Sequence, residues 1–418
     1  LATDVFKLVI GQQDFAKGSV VALLLLLPAV FTFAVDHYVS RRQTAMLTAR
    51  AVPYRPTPSK GFDRVMLLCC SAVALLMLAM LGMAIFASFA SFWPYNLTPS
   101  LRHYVLGLVD GEVGEGFVNS LKMAAGTAFF GTLLVFFDAY LLEKTKGAPL
   151  LRGPVRMLAM LPMAVPGLVL GLGYIFFFNA PNNPLHGLYQ TTALLTLCTI
   201  IHFYTTGHLT AVTALKSLDS EFEAVSASLK VPWFRTFWRV TLPICTPAMV
   251  DIARYFFVNA MTTISAVVFL YSPDTKVASI AILNLDEAGE IGAAAAMAVM
   301  IAAISAVSTG VFMLLYLDLA YEKARREGRL RSLRDLQEAI TEGAVKRIRP
   351  KFMTVATMFV GLVPIMWSLG TGADTMKRIA APMIGGVFTS FILELVVYPA
   401  IYEVWKWHFE VKKQLASS

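Results

Sequence analysis

The chain has 418 residues, of which 57% are hydrophobic and 15% are charged, with a net charge of +8 and a mean hydropathy of +0.65. A water-soluble domain cannot bury that much apolar surface, so the composition excludes an ordinary soluble enzyme and predicts an all-α integral membrane protein. Basic loops beside anionic lipid explain the positive charge without a nucleic-acid partner.

Nine segments are apolar over the length of about 20 residues that a helix needs to cross a bilayer. They lie at 18–36, 65–92, 118–141, 155–178, 191–214, 244–270, 292–317, 352–369 and 379–405. With the N-terminus outside, the segments on the cytoplasmic side carry 27 of the 35 lysines and arginines, and the outer ones carry 6. Because basic residues accumulate in cytoplasmic loops, we expect the N-terminus outside and the C-terminus inside.

The first predicted helix, within residues 1–36, is separated from the rest by "RRQTAMLTARAVPYRPTPSKGFDR". This stretch is basic and contains three prolines, so residues 37–64 are expected to form a cytoplasmic linker. A membrane domain follows over 65–308. The abrupt start at Leu1, without an evident signal peptide, suggests that a preceding part is missing.

A polar interruption lies at "EFEAVSASLKVPWFRTFWRVTLPICTP", residues 221–247. Ser220 and Glu223 have the spacing of a capping box, and Pro232 ends the pattern, which predicts a helix over 221–230. Each charge of this helix would cost about 2.5–3.5 kcal/mol in mid-bilayer, so the helix must lie outside the hydrocarbon. From these residues alone, a docking element for a partner and an ordinary interfacial loop are equally good interpretations.

Polar residues within the predicted spans are candidates for function. Asp251 and Arg254 are one helical turn apart, and mutual pairing competes with a role in a translocation path. Asn259, Thr262 and Thr263 follow on the same helix, where a polar path competes with hydrogen bonding between helices.

The other candidate groups argue against chemistry in this chain. The four cysteines lack the spacing of a zinc site, and His202 and His208 have no carboxylate at metal-ligand spacing. We therefore expect no metal, no cofactor and no catalytic residues. Glu394 is expected to face protein rather than lipid.

The charged stretch at 318–351 has apolar residues at Leu330, Leu333, Leu336 and Ile340. This spacing predicts an amphipathic helix lying on the basic side of the membrane, as a connector to the last two spans.

The sequence "EAVSASLKVPWFRTFWRVTLP" resembles the coupling-helix signature of ATP-binding-cassette (ABC) importer permeases. In that signature Glu-Ala-Ala is followed after three residues by Gly, and nine residues later by Ile-x-Leu-Pro. Leu229 stands where Gly is usual, and ten residues rather than nine separate it from Val240. The residues that match or substitute at signature positions are Glu223, Ala224, Val225, Leu229, Val240, Leu242 and Pro243.

"GFVNSLKMAAGTAFFGTLLVFFDAYLL", opening a helix at Asn119, and "MLPMAVPGLVLGLGY" extend the resemblance to residues 1–308. The wording is most similar to permeases for 2-aminoethylphosphonate, and residues 1–36 resemble the tail of a preceding permease half. The resemblance implies a type-1 ABC permease core in a bacterial inner membrane. It also implies a separate ATPase carrying ATP and Mg²⁺, a periplasmic substrate-binding protein, and a second permease half or copy. Consistently, the chain contains no GxxxxGK[ST] phosphate loop.

From 309 to 418 the wording is similar to the C-terminal end of heavy-metal efflux pumps of the resistance-nodulation-division (RND) family. "EGAVKRIRPKFMTVATMFVGLVPIMW" and "RIAAPMIGGVFTSFILELVVYPAIY" carry this resemblance. It implies that Lys351 is a remnant of a proton relay, while Ser308 stands where the relay acid is expected. The chain is therefore interpreted as a fusion of two transporter fragments. A metal/proton antiporter and a non-transporting fusion remain the alternatives to an ABC permease.

Overall fold

The computed structural model describes residues 60–109, 111–144, 149–218, 221–327, 332–341, 343–344 and 398–407, with residues 8, 12, 14, 16–21 and 23–24 near the start. Structural statements below refer to these residues. The predicted linker 37–64 lies outside them except for its last residues, as do Ser220, Lys351, Glu394 and the predicted span 352–369.

The described chain is mainly helical, with one short hairpin. In chain order the helices are α1 (Lys60–Phe89), α2 (Arg102–Val109), α3 (Gly111–Lys144), α4 (Pro149–Ala164), α5 (Gly167–Phe178), α6 (Thr192–Lys216), α7 (Glu221–Ser228), α8 (Trp233–Thr236), α9 (Leu242–Thr262), α10 (Ala278–Glu287), α11 (Ile291–Arg326), α12 (residues 333–341) and α13 (Tyr398–Lys406). Strands β1 (Ala90–Phe92) and β2 (Asn96–Pro99) pair antiparallel between α1 and α2.

Two helices of the described residues are long and apolar enough to cross a membrane, within Gly114–Lys144 and Ile291–Val311. The pair α4 and α5 would add a third span if the two helices are taken together. The nine predicted spans and their orientation therefore stay predictions. The predicted helix opening at Asn119 begins earlier, at Gly111.

Two predicted spans are not single straight helices. The segment 155–178 is divided into α4 and α5, which meet at an angle of 113°. Pro162 and Pro166 flank this bend, and a proline both removes a helical hydrogen bond and restricts the residue before it. The segment 244–270 is helical only to Thr262, and turns follow over 264–270.

Helices α3, α6 and α9 pack closely around Phe256, whose side chain is fully buried. A Cβ at Gly131 of α3 or at Gly207 of α6 would lie 3.1–3.2 Å from the Phe256 ring. Small residues at these two positions let the three helices approach one another, as is common between helices in membranes.

The turns after α9 are held in place by the first half of α3. The Asn119 side chain donates to the carbonyl oxygens of Asp274 and Lys276, at 2.8 and 3.2 Å. Ser120 Oγ accepts from the first backbone N–H of α10, that of Ala278, at 2.7 Å. A further bond of 2.6 Å joins Ser279 Oγ to the Thr263 carbonyl, so the backbone between α9 and α10 is held at both of its ends.

The chain divides into two compact units, Leu1–Phe31 with Ser88–Ile301, and Thr32–Ala87 with Ala302–Ser418. In the second unit α12 and α13 pack on the later part of α11. Leu336 and Ile340 are buried there with Leu317, Tyr321 and Tyr402.

This packing corrects two expectations for residues 318–351. The connector does not begin at 318, because α11 continues without a break to Arg326. Leu336 and Ile340 of α12 pack against protein rather than lie free on a membrane surface, while Leu333 is exposed. Amphipathic periodicity predicts an apolar face but does not say what covers it.

Candidate functional site

The predicted helix at 221–230 is present as α7, Glu221–Ser228, followed by a turn. Lys230 adopts a positive φ of 54°. The Val231 N–H bonds to the Ser226 carbonyl at 2.9 Å, which is the six-to-one bond of a Schellman cap with Lys230 at the left-handed position. Glycine is the residue that favours this position. In the signature Gly stands at the place of Leu229, so the left-handed residue of this chain lies one position later.

Glu223 faces the protein and forms an ion pair with the end of α3. The Lys144 Nζ lies 3.0 Å from Glu223 Oε1, and it is 3.4 Å from the Leu218 carbonyl oxygen just before α7. The Lys144 side chain is 9% exposed and the Glu223 side chain 27%. The signature acid therefore anchors α7 to the membrane helix α3.

Ser226 links α7 to the helical segment that leads back into the core. Its hydroxyl lies 2.5 Å from Thr236 Oγ1 in α8 and 3.3 Å from the Val231 carbonyl oxygen. From α8 the chain continues through a π-helical turn, Phe237–Thr241, directly into α9. This hydrogen bond and the continuous chain thus join α7 to the start of α9.

Aromatic residues attach this segment to α3. The Tyr140 ring stacks edge-on against Phe237 with centroids 4.7 Å apart, and the Tyr140 hydroxyl is 3.4 Å from the Trp233 carbonyl oxygen. Phe237 is buried, and Leu242 at the start of α9 packs against the same cluster. Pro243 is exposed in the first turn of α9, where a proline costs no helical hydrogen bond.

A neighbouring face of α7 and the turn after it carry large apolar side chains. Phe222, Val225 and Leu229 are 43%, 56% and 69% exposed. Ala224, on another side of the helix, is also exposed. The α7 surface, defined as Phe222, Val225 and Leu229, is thus apolar and exposed.

The residues predicted for a translocation path make mainly local bonds. Arg254 Nη2 lies 3.0 Å from Asp251 Oδ1, so the pairing interpretation is confirmed for this ion pair. The Asn259 amide donates to the Tyr255 carbonyl at 2.7 Å. Thr262 Oγ1 bonds to the Val258 carbonyl at 3.1 Å, and Thr263 is buried at the end of α9. A polar path along these residues stays a prediction.

Charged residues of α3 that the sequence did not single out join several helices. The Tyr204 hydroxyl donates to Asp138 Oδ2 at 2.8 Å, and His208 Nδ1 lies 3.1 Å from the same oxygen. One turn later, Glu143 pairs with Arg156 of α4 at 2.5 Å and lies 3.9 Å from Lys216 of α6. Their spacing in the sequence gives no signal, since each partner is distant along the chain.

No group of three or more His, Cys, Asp or Glu residues in the described ranges has the arrangement of a metal site. His202 is packed beside the start of α5, where a Cβ at Gly167 would lie 3.0 Å from its ring. The role of Lys351 in a proton relay lies outside the described residues.

Two family models match the chain. Residues 139–319 match the family described as binding-protein-dependent transport system inner membrane component, and residues 300–406 match the AcrB/AcrD/AcrF family. The two models thus match different segments of the chain. The matches overlap at 300–319, within α11, and both resemblances noted in the sequence are confirmed.

Individual relatives agree with this division. The chain is 28% identical over 302 residues to the ferric transport system permease protein FbpB of Actinobacillus pleuropneumoniae, which covers 70% of this chain and 43% of that protein. It is 45% identical over 111 residues to the cation efflux system protein CusA of Escherichia coli (strain K12), covering 26% of this chain and 11% of CusA. The chain thus spans less than half of the length of each of these relatives.

Among solved structures, a bacterial ABC transporter involved in the import of the acidic polysaccharide alginate is 16% identical. It covers 59% of this chain and 94% of its own, at a TM-score of 0.42.

Proposed function

We propose that this chain is a membrane-spanning permease subunit of an ATP-driven, binding-protein-dependent importer, with α7 as the contact for a separate ATPase. The observation that carries the proposal is that α7 is held by polar contacts while its apolar side chains remain exposed. Glu223 and Ser226 tie α7 to α3 and α8, and the three side chains of the α7 surface stay 43–69% exposed among the described residues. An apolar helix face of this kind fits a groove on a partner.

The remaining parts of the system follow from the permease resemblance. The ATPase would bind ATP and Mg²⁺, a periplasmic protein would deliver the substrate, and a second permease half or copy would complete the pathway. The protein would lie in a bacterial inner membrane with α7 on the cytoplasmic side, as the distribution of lysine and arginine predicts.

The cargo that the sequence wording implies is an organophosphonate such as 2-aminoethylphosphonate. The relatives of the permease segment are named as ferric transport proteins, so ferric iron is the competing cargo. Uptake of labelled 2-aminoethylphosphonate and of ⁵⁵Fe(III), compared in cells with and without the chain, separates the two. Uptake of neither compound rejects both cargoes.

The partner is tested by affinity purification of the tagged chain, with the recovered ATPase subunit measured by mass spectrometry. Leu229→Asp places a charge on the α7 surface, and we expect it to reduce ATPase recovery at least tenfold. Leu97→Asp is the matched control, because Leu97 is also an exposed leucine but lies in β2. If the two variants recover ATPase equally, the assignment of α7 is wrong.

The match at 300–406 supports a second candidate, a heavy-metal/proton efflux fragment. In that case Lys351→Ala would remove metal tolerance while Glu223→Lys would not. If Glu223→Lys abolishes uptake and Lys351→Ala has no effect on metal tolerance, this candidate is rejected. Loss of neither activity favours a non-transporting fusion.

A further inference from the structure

The last turn of α3 carries two adjacent and oppositely charged residues that reach different neighbours. Glu143 pairs with Arg156 and lies near Lys216, so it connects α3 to α4 and α6. Lys144 points the other way and pairs with Glu223 of α7. At the end of α3, Glu143 therefore contacts the neighbouring helices α4 and α6, and the next residue, Lys144, contacts the short helix α7.

The two ion pairs differ in how much water reaches them. The partners of Glu143, which is itself 14% exposed, are more than half exposed, at 54% for Arg156 and 62% for Lys216. In the other pair both side chains are sheltered, Lys144 at 9% and Glu223 at 27% exposed. Water screens a charge pair strongly at an exposed site and weakly at a sheltered one. The ion pair between Lys144 and Glu223 is thus the stronger of the two ion pairs. It holds α7, whose apolar side chains are exposed among the described residues.

The body of α3 behind Lys144 is rigidly packed. Val135, Phe136, Ala139 and Tyr140 are buried against α6 and α9 in one cluster. A close-packed interior transmits a displacement instead of absorbing it. Lys144 lies at the end of α3 and pairs with Glu223. A displacement of Glu223 consequently moves α3 as a whole.

We propose that Lys144 is the positioning residue that transmits movement of α7 to α3, and that Glu223 serves this internal link instead of contacting the ATPase. The inference rests on the proposed function of α7, whose partner drives the movement. It divides the site into two parts: the α7 surface binds the partner, and the Lys144–Glu223 pair carries the displacement into the membrane helices.

A charge exchange tests this link. Lys144→Glu and Glu223→Lys each place two like charges together, and the double variant restores an opposite pair with its direction reversed. We expect each single variant to retain the ATPase within twofold of the unchanged chain while uptake per ATP hydrolysed falls at least tenfold. The double variant is expected to recover at least a third of that uptake. Arg156→Glu, which breaks the neighbouring pair of Glu143, is the control and is expected to change uptake less than threefold.

A second measurement keeps the test informative if a charge reversal prevents folding. Glu223→Gln preserves the side-chain shape and removes the charge, and it should speed hydrogen exchange of the Leu229 and Val231 amides severalfold without loss of the ATPase. The inference is overturned if the double variant transports no better than the single variants while binding ATPase, or if Glu223→Gln leaves exchange unchanged. If the unchanged chain recovers no ATPase, the proposed function itself fails. The Lys144–Glu223 pair would then fix α7 without any coupling role.

Discussion

Replacing Lys230 with glycine is expected to stabilise the C-terminal cap of α7. Lys230 has a φ of 54°, a conformation that costs an L-residue about 1–2 kcal/mol. Glycine adopts it without that cost but loses more backbone freedom on folding, by about 0.5–1 kcal/mol. The net gain is about 0.5–1 kcal/mol, which corresponds to a two- to fivefold slower opening of the turn, since about 1.4 kcal/mol is a factor of ten.

Hydrogen exchange of the protein in detergent measures this opening directly. The informative amides are those of Leu229 and Val231, which bond to the carbonyl groups of Val225 and Ser226 at 2.9 Å. Lys230→Gly should slow their exchange two- to fivefold. Lys230→Val should speed it, because a β-branched side chain fits positive φ worst.

A matched control exists at Gln190, which has a φ of 62° and lies in the loop before α6. Gln190→Gly should slow exchange around residue 190 and leave the α7 amides unchanged. The explanation is refuted if Lys230→Gly exchanges as fast as the unchanged chain, or if Gln190→Gly alters α7 equally.

Four further substitutions test polar contacts within and between helices. Arg254→Ala and Asp251→Ala should each lower stability by about 1–3 kcal/mol, and the double variant should cost less than their sum, as thermal unfolding in detergent can measure. Asp138→Asn removes the charged acceptor of a 2.8 Å bond and should cost about 1–3 kcal/mol, with equal stability arguing against that bond. Lys406→Met breaks a 3.2 Å pair with Asp318 in the second unit and should increase trypsin cleavage there, whereas unchanged cleavage would contradict its structural role.

The long helices could be predicted from the sequence because hydrophobic runs report burial in lipid or protein directly. Segment 118–141 lies within α3, and segment 191–214 matches α6 to within two residues at each end. Hydropathy did not reveal the bend at Pro166 or the end of α9 at Thr262, since apolar turns packed inside a protein read like apolar helix.

The candidate site was predictable in its location but not in its internal contacts. The capping pattern and Pro232 placed α7 to within two residues of its observed end. The partner of Glu223 could not be predicted, because Lys144 is adjacent only after α3 and α7 have packed. Leu229 stands where the signature has Gly, whereas the residue with a positive φ is Lys230, one position later.

The central claim is that α7 lies on the cytoplasmic side, where an ATPase can reach it. Val225→Cys, in a chain whose four native cysteines are replaced by serine, places a thiol on the exposed side of α7. A membrane-impermeant maleimide should label it in inverted membrane vesicles and leave it unmodified in intact cells. Labelling in intact cells would place α7 on the outer side and contradict the account.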